Sequence, residues 1–161
     1  MILHSVRSAN DIVQDTCNKI AASDPELNFD FCVKSLGSDP KSHEVDLEGL
    51  GLIGVELLQA NFTGTIEYIK QLLKKKLEPP LLKALSHCLD VYTSAERKDL
   101  ISLYQAKRYG EVNIYVTKMM NSEEACDPQS SEKGSIVPPL TKPNADIYQF
   151  CIIVLDIMNI L

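Results

Sequence analysis

The stretch "DLEGLGLIGVELLQANFTGTIEYIKQLL", residues 46–73, carries the pattern that decides the fold. Its apolar residues recur every three or four positions, the spacing of an amphipathic helix. They are Leu47, Leu50, Ile53, Leu57, Phe62, Ile66, Ile69 and Leu73. Each glycine in this stretch weakens a helix by up to about 1 kcal/mol relative to alanine, so packing must hold the helix together. The stretch therefore predicts a long core helix whose glycines permit close contact with other helices.

Three later segments repeat the same spacing. A second helix is predicted after Pro79 and Pro80, and a third from about Tyr109 to Ala125. The last helix is predicted to open with Asn144 as its N-cap, directly after Pro143. The inward positions are predicted to be Leu81, Leu85, Cys88, Tyr92 and Ala95, then Val112, Val116 and Met119 or Met120, then Ile147, Phe150 or Cys151, Val154, Met158 and Leu161.

Strand signals are absent, since no segment alternates apolar and polar residues between turn pairs. We therefore predict an all-α protein, an antiparallel up-and-down four-helix bundle over residues 44–161 with a helical hairpin over residues 10–40 ahead of it. Both parts are expected to form one domain over residues 10–161. Residues 1–9 are expected to be a disordered or remnant N-terminus.

Composition and charge exclude some partners. The chain has 161 residues, 45% of them hydrophobic, which is enough for a sizeable core. Its 22 acidic residues outnumber 16 basic ones, and this net charge of -6 argues against nucleic acid as a partner. Asp156 interrupts the apolar C-terminal end, so no membrane-spanning run is present and no membrane partner is expected. The start "MILHSVRSAN" is too polar for the core of a signal peptide.

The five cysteines pose a question of pairing. Cys17 and Cys32 flank the "ASDP" break, so a bridge between them would close the hairpin, which is worth roughly 3 kcal/mol for a loop of this size. Antiparallel packing could bring Cys88 and Cys126 together. Cys151 is left over on the apolar face of the last helix. It is either a small buried hydrophobe or a link between two copies of the chain.

Catalytic and metal-binding patterns are not visible. The three histidines, His4, His43 and His87, are scattered, and no two cysteines have the spacing of a zinc site. His87 cannot serve Cys88 as a base, because adjacent helical positions point about 100 degrees apart. We therefore expect no metal, no cofactor and no catalytic residue. The single sequon, Asn61-Phe62-Thr63, makes Asn61 a candidate glycosylation site within a helical stretch.

Four cysteine-containing blocks, "DTC", "DFCVKSLGSDPKS", "SHCLDVY" and "EEACD", together with "DLEGLGLIGVELL", resemble the plant invertase and pectin methylesterase inhibitor family. The resemblance extends from about Asn10 to the C-terminus. It implies a four-helix bundle with an N-terminal hairpin, and bridges that pair Cys17 with Cys32 and Cys88 with Cys126. It also implies no enzyme activity, and export to the apoplast, the cell wall or the vacuole.

The family divides between inhibitors of acid invertase and inhibitors of pectin methylesterase, and the fold alone does not choose between them. Invertase inhibitors of the family carry a Pro-Lys-Phe step that enters the sugar-binding pocket of the enzyme. The matching positions here are Lys107, Arg108 and Tyr109, which the resemblance marks as target-binding although the proline is missing. The alternative is that Lys107 and Arg108 are a solvated helix end and Tyr109 covers the core.

Three functions follow from the resemblance. The first is an inhibitor of acid invertase, the second an inhibitor of pectin methylesterase, and the third a non-inhibitory pollen allergen on the same scaffold. In each case the chain would act as a monomer, or as a dimer linked through Cys151.

Overall fold

The computed structural model describes residues 11–128 and 137–161, and in these ranges the regular structure is entirely helical. The helices are α1 (Asp11–Ser23), α2 (Phe29–Gly37), α3 (Leu47–Leu73), α4 (Pro79–Ala95), α5 (Leu100–Gln105), α6 (Tyr109–Cys126) and α7 (Thr141–Ile160). Two 3-10 turns, Pro40–His43 and Pro138–Leu140, precede α3 and α7. The predicted all-α class is confirmed, whereas the prediction for residues 1–9 lies outside the described residues.

Helices α3, α4, α6 and α7 form the bundle. Each packs against two of the others, in the order α3, α4, α6, α7 and back to α3. Helices that follow one another in the chain are thus neighbours around a closed ring, which is the arrangement of an up-and-down bundle. The predicted four-helix bundle is confirmed.

The core contains most of the predicted inward residues, but its edge differs from the prediction. Met119, Phe150 and Cys151 are all buried, and Met120 is only half-buried. The half-buried members of the predicted stripes are Leu47, Leu57, Leu73 and Leu81. On α3 the buried face is wider than the predicted stripe, because α1, α2 and α5 pack on this helix in addition to α4 and α7. Leu161 was wrongly assigned to the core: it lies beyond the end of α7 and is 46% exposed.

The N-terminal hairpin of α1 and α2 packs on its own bundle. The rings of Phe31 in α2 and Phe150 in α7 lie 4.9 Å apart edge to face. The Gln149 side chain accepts a hydrogen bond from the Asn28 amide at 2.8 Å and donates one to the Glu26 carbonyl at 3.0 Å. These contacts tie the loop between α1 and α2 to α7, so the hairpin is a docked part of the domain.

A pair of carboxyl groups lies where the end of α1 meets α7. Asp156 in α7 faces Asp24 just after α1, and its Oδ2 atom is buried with no hydrogen-bond partner among the described residues. Burial, reinforced by Asp24, raises the pKa of Asp156 from 3.8 to about 6. The folded state therefore binds this proton more tightly than the unfolded chain does. The resulting stabilisation is fully present below pH 3.8 and is lost as the pH rises through about 6.

We expect the free energy of unfolding to fall by about 1 kcal/mol across this pH range because of Asp156, a value reduced for the solvent that still reaches the side chain. Asp156→Asn should flatten that slope in urea unfolding measured at a series of pH values. The control Asp90→Asn, at an exposed position of α4, should leave it in place. An unchanged slope in Asp156→Asn would contradict the assignment.

The last helix begins earlier than predicted, so Asn144 is not its N-cap. Helix α7 starts at Thr141, and Asn144 is a fully buried residue of its first turn. Its side-chain oxygen accepts a hydrogen bond from the Tyr92 hydroxyl, and its amide contacts the Cys126 sulfur at 3.6 Å. The prediction fails because Pro143 does not end a loop: a proline is tolerated in the first helical turn, where backbone N–H groups have no partner within the helix.

Candidate target-binding site

Residues 106–108 connect α5 to α6 in a tight turn at one end of the bundle. The Arg108 amide donates to the Leu103 carbonyl at 3.0 Å, and the Lys107 amide donates to the Tyr104 carbonyl at 2.9 Å. This pair of hydrogen bonds is the Schellman arrangement that ends many helices. Lys107 takes the left-handed position that glycine usually fills, with φ of 60°. The turn is thus closed by its own backbone hydrogen bonds.

Glu48, in the first turn of α3, receives three contacts from this region. The Tyr109 hydroxyl donates to Glu48 Oε2 at 2.8 Å, and the Lys107 ammonium group lies 3.4 Å from the same oxygen. The Tyr104 hydroxyl donates to the Glu48 backbone carbonyl at 2.6 Å. One residue of α3 therefore meets side chains from α5, from the turn and from α6.

Two tyrosines and one arginine complete the site. The rings of Tyr104 and Tyr109 lie 5.2 Å apart in a tilted arrangement, and Tyr109 is half-buried. Arg108 forms an ion pair with Glu111, one turn further along α6, and its side chain remains 59% exposed. The site accordingly offers solvent an exposed guanidinium beside a half-exposed aromatic ring.

The hydroxyl groups of both tyrosines stay protonated. Burial, followed by the nearby Tyr109 and Glu48, raises the pKa of Tyr104 well above its ordinary value. Burial and the hydrogen bond to Glu48 likewise raise the pKa of Tyr109. Both groups thus remain hydrogen-bond donors at every pH below the ordinary tyrosine pKa of about 10, so the contacts of Glu48 with the tyrosines do not depend on tyrosine ionisation.

The local sequence explains how these groups meet. The Asp46 side chain accepts a hydrogen bond from the Gly49 amide at 2.8 Å, which caps α3 and fixes its first turn. Gly51 has no side chain, and a Cβ atom there would lie 2.1 Å from the Tyr104 hydroxyl oxygen. Tyr104 can reach Glu48 only because position 51 is glycine.

Lys107 and Arg108 lie in the turn and Tyr109 begins α6, and their assignment as target-binding residues stays a prediction. Sequence reasoning missed Glu48, Tyr104 and Gly51. It also missed α5 itself. With six residues, α5 is too short for a periodic pattern to be recognised, although Leu100, Leu103 and Tyr104 are buried. Nothing local in the sequence links positions 48 and 109, because the two residues meet only through the fold.

The four cysteines expected to pair do so. The bridge Cys17–Cys32 joins α1 to α2, and Cys88–Cys126 joins the middle of α4 to the last residue of α6. Cys151 carries a free thiol that is fully buried, and this burial raises its pKa. A second copy of the chain could not reach that thiol unless the bundle opened. The dimer through Cys151 stays a prediction.

Asn61 lies in the middle of α3 and is half-buried. Its side-chain amide donates to the Leu57 carbonyl one turn earlier, at 2.8 Å. A glycan on this nitrogen would leave it one N–H in place of two. Glycosylation of Asn61 also stays a prediction.

Within residues 11–128 and 137–161, no three His, Cys, Asp or Glu side chains lie close enough together to hold a metal ion. None of the helices in those ranges combines the length and the apolar character needed to cross a bilayer. The Nε2 atom of His87, the residue before Cys88, lies 3.3 Å from the Ala125 carbonyl oxygen.

The fold and its cross-links define the class of this protein, which is an all-α bundle braced by two disulfides, with a charged and aromatic turn at one end. The particular family follows from comparison with known proteins. Residues 11–157 match the family described as plant invertase/pectin methylesterase inhibitor, and the chain belongs to that family.

Two curated relatives and one solved structure are similar to this chain in sequence or in fold. It is 39% identical to the "Putative invertase inhibitor" of Platanus acerifolia, covering 100% of this chain and 90% of the relative. It is 29% identical to the "Pectinesterase inhibitor" of Actinidia deliciosa, covering 98% and 83%. A mutant form of a pectin methylesterase inhibitor from Arabidopsis has a similar structure, with a TM-score of 0.72 at 22% identity over 88% of this chain and 97% of that one. At this identity the last comparison supports the fold alone.

Proposed function

We propose that this protein is an exported inhibitor of a plant acid invertase, a fructosidase, and that Lys107, Arg108 and Tyr109 enter the active-site cleft of that enzyme. The observation that carries the proposal is the tight turn of residues 106–108, which holds an exposed arginine beside an aromatic ring. Arginine and tyrosine are the residue types most often found at the energetic centre of an interface. The planar guanidinium of Arg108 matches the carboxylates that a sugar-hydrolysing site presents.

The rigidity of the turn supports this proposal. A binding segment that is ordered before it meets its partner avoids the entropy cost of ordering during association. In the family's invertase inhibitors a proline stands in the corresponding step. Here the two backbone hydrogen bonds of the turn, from Lys107 and Arg108, replace that restraint. Identity also favours invertase, since the chain is 39% identical to a relative named for that target and 29% identical to one named for pectinesterase.

The two disulfides support export. Disulfides persist in oxidising compartments and are rare in a reducing cytosol. We therefore place the protein in the apoplast, the cell wall or the vacuole, where acid invertases act. It has no enzymatic role in this proposal, and it works by occupying the cleft of its target.

We expect the double variant Arg108→Ala/Tyr109→Ala to raise the inhibition constant against a purified acid invertase at least tenfold, about 1.4 kcal/mol. The loss arises because the guanidinium and the ring are the groups that would contact the enzyme. The measurement is inhibition at mildly acidic pH, with helical content checked by circular dichroism.

The control is Arg97→Ala/Tyr115→Ala, which removes a second arginine and tyrosine pair, 3.8 Å apart, elsewhere on the surface. It should inhibit as well as the unmodified protein. Equal inhibition by the Arg108→Ala/Tyr109→Ala variant and the control would place the contact surface elsewhere.

The second candidate, inhibition of pectin methylesterase, has the support of the Actinidia relative. The same assay run against a purified pectin methylesterase separates the candidates. Inhibition of the methylesterase alone would assign the second function and move the contact to the helical faces of the bundle. Inhibition of neither enzyme by the correctly bridged protein would assign the non-inhibitory role.

A further inference from the structure

Glu48 is not part of the segment that the proposed function places in the enzyme cleft, yet it contacts that segment at two points. We infer that Glu48 is a positioning residue, which holds Lys107 and Tyr109 in their binding geometry before the target arrives. The role of Glu48 in recognition rests on the proposed function. The restraint that Glu48 places on the turn rests on its contacts alone.

The two side-chain contacts converge on one atom. Glu48 Oε2 accepts the Tyr109 hydroxyl at 2.8 Å and lies 3.4 Å from the Lys107 ammonium group. The first contact is the stronger, because it is a short hydrogen bond to a charged acceptor from a half-buried ring. The second is a weak surface ion pair, since the Lys107 side chain is 69% exposed. The hydrogen bond to Tyr109 therefore carries most of the restraint.

The turn needs support from outside its own helix. Lys107 adopts a left-handed conformation that is unfavourable for any residue with a Cβ atom. Helix α5 has six residues, far fewer than a helix needs to be stable by itself. Helix α3 has 27 residues and a capped first turn, so it is a rigid anchor for Glu48.

Different partners hold the three residues of the segment. Glu48 holds Lys107 and Tyr109 against α3, whereas Arg108 pairs with Glu111 on α6. Without the Glu48 carboxylate, the side chains on either side of Arg108 would sample other positions. The apparent inhibition constant would then rise in inverse proportion to the fraction of molecules still in the binding geometry.

The test compares Glu48→Ala and Glu48→Gln in two assays. Glutamine keeps an oxygen that can accept the Tyr109 hydroxyl but loses the ion pair with Lys107, so it should retain most of the restraint. The first assay is tryptic cleavage of the folded protein after Arg108, followed by mass spectrometry, because this rate follows local opening of the turn. The second is the inhibition constant against acid invertase.

The matched control is Glu67→Ala. Glu67 also lies on α3 and also has a lysine, Lys70, at 3.4 Å, but this pair lies within one exposed helical face. We expect Glu48→Ala to raise both the cleavage rate and the inhibition constant about fivefold. Glu48→Gln should change them less than twofold, about as little as the control, with the melting temperatures of the three variants alike.

Each outcome decides the inference. Unchanged cleavage in Glu48→Ala would overturn the restraint of the turn. Faster cleavage with unchanged inhibition would overturn the role in recognition and keep the restraint. If the unmodified protein inhibits no invertase, the proposed function fails and so does the role in recognition, while the cleavage assay still decides whether Glu48 holds the turn. If Glu48→Gln and Glu48→Ala raised the cleavage rate and the inhibition constant equally, the ion pair with Lys107 would carry the restraint. That result would overturn its assignment to the hydrogen bond from Tyr109.

Discussion

Replacing Cys88 and Cys126 together with alanine is expected to lower the free energy of unfolding by about 4 kcal/mol. The bridge closes a loop with a sequence separation of 38, and a longer loop loses more conformational freedom in the unfolded chain when it is closed. Alanine is the suitable replacement, because both sulfurs are buried and a polar side chain would add a second cost. A loss of this size is comparable with the whole stability of many single domains.

The bridge has this importance because of its place in the bundle. Cys126 is the last residue of α6, and the next residue, Asp127, accepts a hydrogen bond from the Val137 amide at 3.2 Å. The bridge thus anchors the end of α6 to α4 near the point where the chain turns toward α7. Without it, the last turn of α6 would be held to α4 only by packing and by the contact of His87 with the Ala125 carbonyl.

Urea unfolding with all variants in the oxidised state measures the effect, and a count of free thiols confirms which bridge remains. The control is Cys17→Ala/Cys32→Ala, which opens a loop with a separation of only 15 and should cost about 3 kcal/mol. A smaller loss for the bundle bridge than for the hairpin bridge would contradict the prediction. Such a result would show that contacts around Cys126 hold α6 without covalent help.

The bundle could be predicted from the sequence because the apolar spacing that predicts each helix is repeated along that helix. Each long helix shows several turns of apolar spacing, so one misplaced residue such as Leu161 does not change the assignment. The start of α7 was misplaced because it depended on a single local signal, Pro143 followed by Asn144. In the fold Asn144 has a buried partner, Tyr92 of α4, and that contact is not encoded nearby in the sequence.

The site was harder to predict for the same reason. Resemblance identified Lys107, Arg108 and Tyr109, but the residues that hold them are distant in the chain. Tyr109 and Glu48 are 61 positions apart, and no periodicity connects them. A family motif can therefore predict which residues meet the target, whereas only the structure shows which distant residues contact them.

Gly51→Ala is expected to lower the free energy of unfolding by about 2 kcal/mol, although alanine favours a helix more than glycine does. The added methyl group would lie 2.1 Å from the Tyr104 hydroxyl oxygen and 3.0 Å from a methyl carbon of Ile157. Tyr104 is almost fully buried, so its ring cannot swing into solvent without opening the end of the bundle. Thermal unfolding with calorimetry, or urea unfolding, measures the loss.

Gly64→Ala is the matched control for this change. It lies on the same helix, and a Cβ atom there meets nothing within 4 Å. We expect Gly64→Ala to gain up to about 1 kcal/mol from helix propensity alone. The difference between the two variants therefore isolates the clash with Tyr104 from the effect of the backbone. Equal stability of the two would mean that Tyr104 moves aside at no cost.

Adding Tyr104→Phe to Gly51→Ala removes the atom in closest contact and should restore about half of the lost stability. Recovery will be partial, because the ring carbon that bore the hydroxyl still lies 2.9 Å from the new methyl group. Gly51→Ala should also weaken inhibition, because it displaces the Tyr104 hydroxyl from the Glu48 carbonyl. That loss should not be reversed together with the loss of stability, since phenylalanine cannot donate to the carbonyl. The double variant would then regain stability without regaining inhibition. This result is expected only if Gly51 is needed for the geometry of the turn as well as for the packing of α3. Parallel recovery of both would instead assign Tyr104 to the core alone and leave the restraint of the turn to Glu48 and Tyr109.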